Sequence, residues 1–468
     1  MDEQAVVRKV LWRLIPFCVI CYLLNYIDRV NISIAKLKVV EDLAAGAGGV
    51  GIRGFTEDAF AIGAGIFFLG YFLFELPSNL ILERVGARRW IARIMISWGF
   101  ITMSFVFVRG VWSFYALRFL LGIAEAGFFP GMILYLSYWV PERYRARAAA
   151  LFLTSTAISG VIGNPLGGWI LYITDASPLG LHNWQWLFLS EGLPSVLLGL
   201  VTLFYLTDKP AEARWLTAPE RDTLTAVMAR EHAAHPAHGK AALFDAFKSP
   251  HTWLLSALYG MVVFGFYMVN FYTPSIIKDA LKAAHVIQPN TPAVQADLWT
   301  SLLSAIPFGA AAVGMVLIGR HSDKHRERKL HIAFACALIA VGLAVAGTAS
   351  SIAGTLGTVL AIAGLSVGAM GAFGLFGPFW ALPSQLLTGT AAAAAFAIIN
   401  SIGNLLGGFL GPMLVPVLGR QHTLFLAAAL ALVAMILMLL APIPRQEGHA
   451  FNGPIANDET DSPTTAQR

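Results

Sequence analysis

Long apolar runs recur along this chain, separated by short segments rich in charge, glycine and proline. A membrane helix needs about 20 mostly apolar residues. Twelve runs meet that length, at residues 13–35, 58–82, 90–108, 112–139, 147–173, 184–206, 251–277, 298–319, 330–349, 354–380, 390–416 and 421–443. The first follows Arg8, Lys9 and Arg13, as a signal peptide would. It is too long for a signal h-region, carries Asp28 and Arg29, and lacks a small-residue cleavage site, so it reads as a retained helix. The pattern predicts an all-α polytopic membrane protein.

One long polar segment, 207–250, divides the runs into six and six. The expected organisation is an N-terminal half over 1–206, a linker over 207–250, a C-terminal half over 251–443 and a polar tail without fixed structure over 444–468. The linker's His232, His235 and His238 lack a carboxylate or cysteine to complete a metal set and read as solvated loop residues.

Basic residues mark the cytoplasmic side of membrane helices. With the N-terminus inside, 23 of the 32 Lys and Arg fall on inside segments, 7 outside and 2 within spans. This predicts cytoplasmic termini, in a bacterial inner membrane. Composition agrees: the chain is 57% hydrophobic and 13% charged, about half the charge of a soluble domain. The net charge of +5 is small and scattered, which argues against a nucleic-acid partner. Cys18 and Cys21 lie in an apolar run and Cys336 stands apart, so the three read as small hydrophobes.

Two motifs repeat at one offset. Glu83, Arg84, Gly86 and Arg88 stand between helices two and three, and Gly319, Asp323 and Lys324 between eight and nine. Gly163-Asn164-Pro165-Leu166-Gly167-Gly168 in helix five matches Gly403-Asn404-Leu405-Leu406-Gly407-Gly408 in helix eleven. Trp139-x-Pro141 and Trp380-x-x-Pro383 end helices four and ten. Two parallel-repeated halves of six helices resemble the major facilitator superfamily. The first loop copy departs from its signature, with Asn79 for the usual glycine and Glu83 for aspartate. Leu24 to Asn31, Phe74-Glu75-Leu76-Pro77-Ser78-Asn79, Arg118-x-x-x-Gly122-x-x-Glu125-Ala126-Gly127, Phe379 to Ser384 and Ile399-Asn400-Ser401-x-Gly403-Asn404 resemble its anion:cation symporter family. That resemblance implies twelve helices in two pseudo-symmetric halves. It also implies proton-driven movement of organic anions, and a monomer.

A charge at the centre of a membrane helix is unfavourable by about 2.5–3.5 kcal/mol. Asp28, Arg29, Arg118 and Glu125 carry such charges, all in the first half. An organic anion needs a fixed cation, and arginine offers a bidentate fork for carboxylate; Arg29 is assigned that role. Proton coupling needs a carboxyl that titrates, and Asp28 and Glu125 are assigned it, as the resemblance also implies. Arg118, seven residues before Glu125 on one helix face, is expected to hold the deprotonated Glu125. Glu191 and Glu75 read as structural, Glu75 near the inner loop. The C-terminal half supplies neutral groups: Tyr267, Asn270, Asn400, Asn404 and Trp380, with Tyr26 at similar depth, form the expected substrate wall.

The expected function is import of a small organic carboxylate (tartrate-like, sugar acid or aromatic acid) with protons, without cofactor or metal. An exchanger or uniporter is the alternative, although helix five lacks the Gly-Pro-x-x-Gly-Gly run of the antiporter branch. A membrane sensor would need a signalling domain. An enzyme would need a nucleophile elbow, a metal-spaced His/Glu set or a phosphate loop following a strand, and none is in the sequence.

Overall fold

The computed structural model describes residues 3–45, 55–234, 246–383 and 389–442. His235, His238, Ser384 and the tail from 444 onward lie outside them. Twelve helices, or helix pairs, among the described residues are long and apolar enough to cross a membrane.

The first half begins with α1 (Glu3–Val30) and α2 (Ile32–Ala45), which form one span bent at Asn31. It continues with α3 (Glu57–Val85), α4 (Ala87–Ser104), α5 (Val111–Glu125) and α6 (Phe128–Ser137), then α7 (Glu142–Ile173) and α8 (Asn183–Tyr205). Polar helix α9 (Ala218–Ala234) lies within the expected linker, tied to α1 by Lys9 Nζ at 2.7 Å from Glu220. His232 belongs to it.

The second half comprises α10 (Pro250–Ala283), α11 (Ala293–His325), α12 (Lys329–Ala349), α13 (Gly354–Gly374) with the short α14 (Phe376–Trp380), α15 (Gly389–Gly403) and α16 (Leu410–Leu418) joined by a π-helical turn at Asn404–Phe409, and α17 (Arg420–Leu440).

Several boundaries differ from the apolar pattern, for physical reasons. α1 starts ten residues early because Val6, Val7 and Val10 pack inside. The fourth span is two helices, not one: Gly127 adopts φ +83°, a left-handed conformation that suits glycine. A side chain there would also strike Ser78 Oγ at 2.3 Å. Glu83 and Arg84 do not open a loop. α3 continues to Val85, and Gly86 alone (φ +96°) makes the turn, with the Asp208 carboxylate accepting the Arg88 N–H at 2.8 Å. Likewise Gly319, Asp323 and Lys324 lie within α11, which ends where Arg326 turns left-handed; Asp323 accepts from Arg328 at 2.5 Å.

The end of the bundle carrying Gly86 and Arg326 is called here the basic end. At the opposite end the halves are sealed. Asp297 of α11 is buried between Lys278 Nζ of α10 at 2.8 Å and Lys38 Nζ of α2 at 3.7 Å. Lys36 bonds Glu57 and lies 5.3 Å over the Tyr272 ring. α3 meets the α15–α16 span so closely that a side chain at Gly65 would come within 2.9 Å of the Phe409 carbonyl.

Candidate substrate cavity

Between the halves lies a narrow cavity lined by residues of both. Its lining runs from the middle of the bundle to the basic end: Arg29 in α1, Tyr22 two turns nearer that end, and Trp380 at the last residue of α14. The sealed face lies beyond Arg29. The lining thus extends toward the basic end and stops short of the sealed one.

Glu125 is the last residue of α5, near the middle of the Val111–Ser137 span and two residues before its break at Gly127. α5 packs against α3 with little space between them, since a side chain at Gly122 would lie 2.0 Å from the Phe67 carbonyl. Glu125 Oε2 accepts Arg29 Nη2 at 2.8 Å, Arg29 Nε at 3.2 Å and Asn25 Nδ2 at 3.0 Å. Glu125 Oε1 is buried with no partner. Arg29 also lies 5.1 Å over the Tyr71 ring and 5.3 Å over Phe67.

Arg118 does not hold Glu125. Its Nε donates to the Gly63 carbonyl at 3.1 Å and Nη2 to that of Ala64 at 3.4 Å, with Phe67 4.8 Å beneath. The shared helix face is real, but Arg118 reaches across to α3, and Arg29 takes the carboxylate. Asp28, one residue before Arg29, points away from the cavity. Its Oδ2 accepts Trp98 Nε1 at 2.7 Å and Ser195 Oγ at 2.9 Å, from α4 and α8. Nearby, Glu191 accepts from Asn31 Nδ2, and Glu191 Oε2 is unpartnered.

Tyr26, Tyr267, Trp380, Asn400 and Asn404 line the cavity with Arg29, as expected. Asn270 is one step behind: its Oδ1 accepts the Tyr26 hydroxyl at 2.9 Å, a bond between the halves. Tyr267 donates to Asn404 Oδ1 at 2.9 Å. Trp139, the repeat partner of Trp380, is buried elsewhere and stacks on Trp215 at 5.5 Å.

Sequence reasoning misplaced Glu75. It lies ten residues before the end of α3, about 15 Å deeper at 1.5 Å per residue. It is wholly buried, and its two oxygens accept Asn400 Nδ2 and Ser401 Oγ, both at 2.5 Å and both from the other half. The available signal was a lone carboxylate in an apolar span. Tyr22, Tyr71, Thr156, Tyr259 and Phe266 also line the cavity and were not singled out. As aromatic and hydroxyl residues in apolar helices they carry no distinguishing mark.

The sequence profile of the Major Facilitator Superfamily matches residues 18–412. A protein of Agrobacterium vitis named "Putative tartrate transporter" is 44% identical over 86% of both chains. The "Inner membrane transport protein RhmT" of Escherichia coli is 34% identical, again over 86% of each. Among solved structures, the partially occluded inward-open xylose transporter XylE from E. coli superposes with a TM-score of 0.70 at 16% identity, covering 94% of this chain and 99% of that one. A bacterial homologue of the human lysosomal transporter Spinster, inward-facing, gives 0.67 at 16% identity over 93% and 96%. These last two are likenesses of fold.

Proposed function

The chain belongs to the Major Facilitator Superfamily and is a membrane transporter, not an enzyme; on that premise we propose that it imports a small organic carboxylate together with protons, by alternating access. The observation that carries this reading is the buried Arg29–Glu125 pair, whose arginine lines the cavity while its carboxylate lies directly behind. A cation for an anionic substrate is present, and its partner in the protein is an acid that can exchange it for a proton.

The cycle follows from one arginine serving two partners in turn. With the cavity open outward, Glu125 takes a proton and releases Arg29. The substrate carboxylate then occupies the arginine fork. Charge neutralisation lowers the penalty of closing a low-dielectric site over these groups. After the halves rock, substrate and proton leave on the basic end, which is cytoplasmic in this reading by its excess of Lys and Arg. Arg29 and Glu125 pair again, as they do here, and the carrier returns. Asp28 is the second candidate acid. It is linked to Arg29 only through the α1 backbone, so its proton acts on helix packing against α4 and α8 rather than on the substrate. Arg118 fixes α5 to α3 and keeps Glu125 at its depth.

The relative named as a putative tartrate transporter supports a hydroxylated dicarboxylate among the substrates to be tried first. The test is uptake into proteoliposomes under an imposed proton gradient, with tartrate, galactonate, glucarate, phthalate, hydroxyphenylacetate and benzoate. Each pH unit offers about 1.4 kcal/mol per proton. Accumulation of one acid, abolished by a protonophore, is the expected result. Flux that never exceeds equilibration would instead identify an exchanger or uniporter.

A further inference from the structure

Hydrogen-bond directions around the cavity, in both halves, follow from the backbone carbonyls beside its polar groups. A carbonyl can only accept, so the amide nitrogen beside it is fixed. Asn404 Nδ2 donates to the Asn400 carbonyl at 3.0 Å. Its Oδ1 therefore faces Tyr267, and the Tyr267 hydroxyl must spend its hydrogen there. Asn270 Nδ2 donates to the Phe266 carbonyl at 2.7 Å, so Tyr26 must spend its hydrogen on Asn270 Oδ1. Thr156 donates to the Leu153 carbonyl at 2.7 Å. Each of these three hydroxyls presents lone pairs, and no hydrogen, to anything else that approaches it.

Asn400 has no such carbonyl. Its orientation comes from Glu75, whose carboxylate accepts Nδ2. The amide oxygen is then the end left for the cavity that Asn400 lines. Glu75 comes from the first half, touches Asn400 and Ser401 of the second, and is not itself among the lining residues. Tyr22, Tyr71 and Tyr259 carry hydroxyls that rotate to donate or accept. Arg29 is the fixed donor.

We infer that Glu75 is a positioning residue that completes an acceptor surface formed by Tyr26, Tyr267, Thr156 and Asn400, and that this surface selects carboxylates bearing hydroxyl groups over carboxylates of the same skeleton without them. The substrate's carboxylate meets Arg29, and its hydroxyl hydrogens meet the four acceptors. A skeleton that lacks hydroxyls leaves those acceptors without a partner in a closed site, and buried unpaired polar groups are what give strong discrimination. The inference rests on the organic-anion reading and deepens it to a class: hydroxy acids with several hydroxyls.

The test is binding by titration calorimetry to the purified full-length transporter, so that it does not depend on proton coupling. Three matched series serve as probes: tartrate, malate and succinate; galactonate and hexanoate; 4-hydroxyphenylacetate and phenylacetate. In the series that binds, affinity is expected to fall about tenfold for each hydroxyl removed, the worth of one hydrogen bond to a desolvated acceptor. Glu75→Gln lets the Asn400 amide turn over, accept from the glutamine and offer its N–H to the cavity. The hydroxy-to-deoxy preference is then expected to shrink about tenfold, and Glu75→Asp, which keeps a carboxylate, to restore part of it. Should Glu75→Gln fail to fold, Tyr267→Phe removes one acceptor and keeps the ring, with the same expected loss of preference. Equal binding of hydroxylated and plain acids overturns this inference and leaves the organic-anion reading standing. A full preference retained in Glu75→Gln overturns the role of Glu75. Absence of binding and uptake for every acid overturns both readings together.

Discussion

Arg29 and Glu125, 96 residues apart in the chain, meet as a buried ion pair at 2.8 Å. Removing one member of such a pair strands the other charge and is destabilising by about 3–5 kcal/mol. Glu125→Gln keeps the shape and the Asn25 contact but can neither bind a proton nor neutralise Arg29. The expected outcome is a carrier that still exchanges labelled for unlabelled substrate but no longer accumulates it under a proton gradient. Its melting temperature should fall, and saturating substrate should recover part of the loss, because the substrate carboxylate then supplies the missing charge. Gradient-driven accumulation by Glu125→Gln would remove Glu125 from the coupling role.

Arg118 and Arg29 are expected to differ in kind. Arg118 is 1% exposed and bridges α5 to two carbonyls of α3 that already accept helical N–H groups, so its loss removes two charge-assisted bonds between the helices. Each such bond contributes about 1.5–3 kcal/mol. Arg118→Ala should lower the melting temperature by several degrees, while the proton-to-substrate ratio of the molecules that remain folded stays as in the wild type. Arg29→Ala should abolish substrate binding. Thermal unfolding and reversal-potential measurements on the two variants separate these outcomes. A changed ratio in Arg118→Ala would restore the direct partnership with Glu125 that the i, i+7 spacing suggests.

The spans and the charged residues were legible because lipid makes both conspicuous. Twenty apolar residues in a row have few other uses, and a charge within them is unfavourable enough to need a reason. What periodicity could not supply was which charge meets which. Arg118 and Glu125 share a face of one span, whereas the pair that forms joins two spans. The choice rests on the close approach of α5 to α3 at Gly122, which puts the Gly63 and Ala64 carbonyls within reach of Arg118. The break at Gly127 was equally hidden, since a glycine in an apolar run reads as a packing residue until its φ is known. Glu75 was misjudged for a similar reason. Its partners Asn400 and Ser401 lie more than 300 residues away, and nothing local to Phe74–Asn79 announces them.

The α3–α5 contact that sets the depth of Glu125 can be tested by size. Gly122→Ala puts a methyl 2.0 Å from a backbone oxygen, which has no rotamer by which to move aside. Overpacking of this type is unfavourable by about 1–3 kcal/mol and shifts the helices apart. Both the melting temperature and gradient-driven uptake should fall. Gly309→Ala in α11 is the matched control, because a side chain there meets nothing within 4 Å. It should match or exceed the wild type in stability, since alanine is the better helix former by about 1 kcal/mol. Equal behaviour of the two variants would mean that the helix pair yields without effect.

Asp297 closes the end opposite the basic end, and it does so across the halves: Lys278 is on its own side and Lys38 is on the other. All three side chains are largely withdrawn from solvent, with Asp297 wholly buried. In Asp297→Asn the two ammonium groups lose the carboxylate between them and repel each other. That penalty falls on the conformation sealed at this end and is relieved when the halves part and water enters. If about 1.4 kcal/mol of it is specific to the sealed form, the open population rises tenfold. A cysteine at Thr300, a buried position one turn along α11, reports the opening through its reaction with a membrane-impermeant maleimide added from the sealed side. Cys18, Cys21 and Cys336 are buried and give a low background. Labelling of Thr300→Cys should be at least several-fold faster when Asp297→Asn is present, with substrate affinity measured from the basic end little changed, because the sealed form still predominates. Equal labelling rates would show that the seal is held by the apolar contacts of α3 with the α15–α16 span, and that the Lys38–Asp297–Lys278 cluster follows the motion without biasing it.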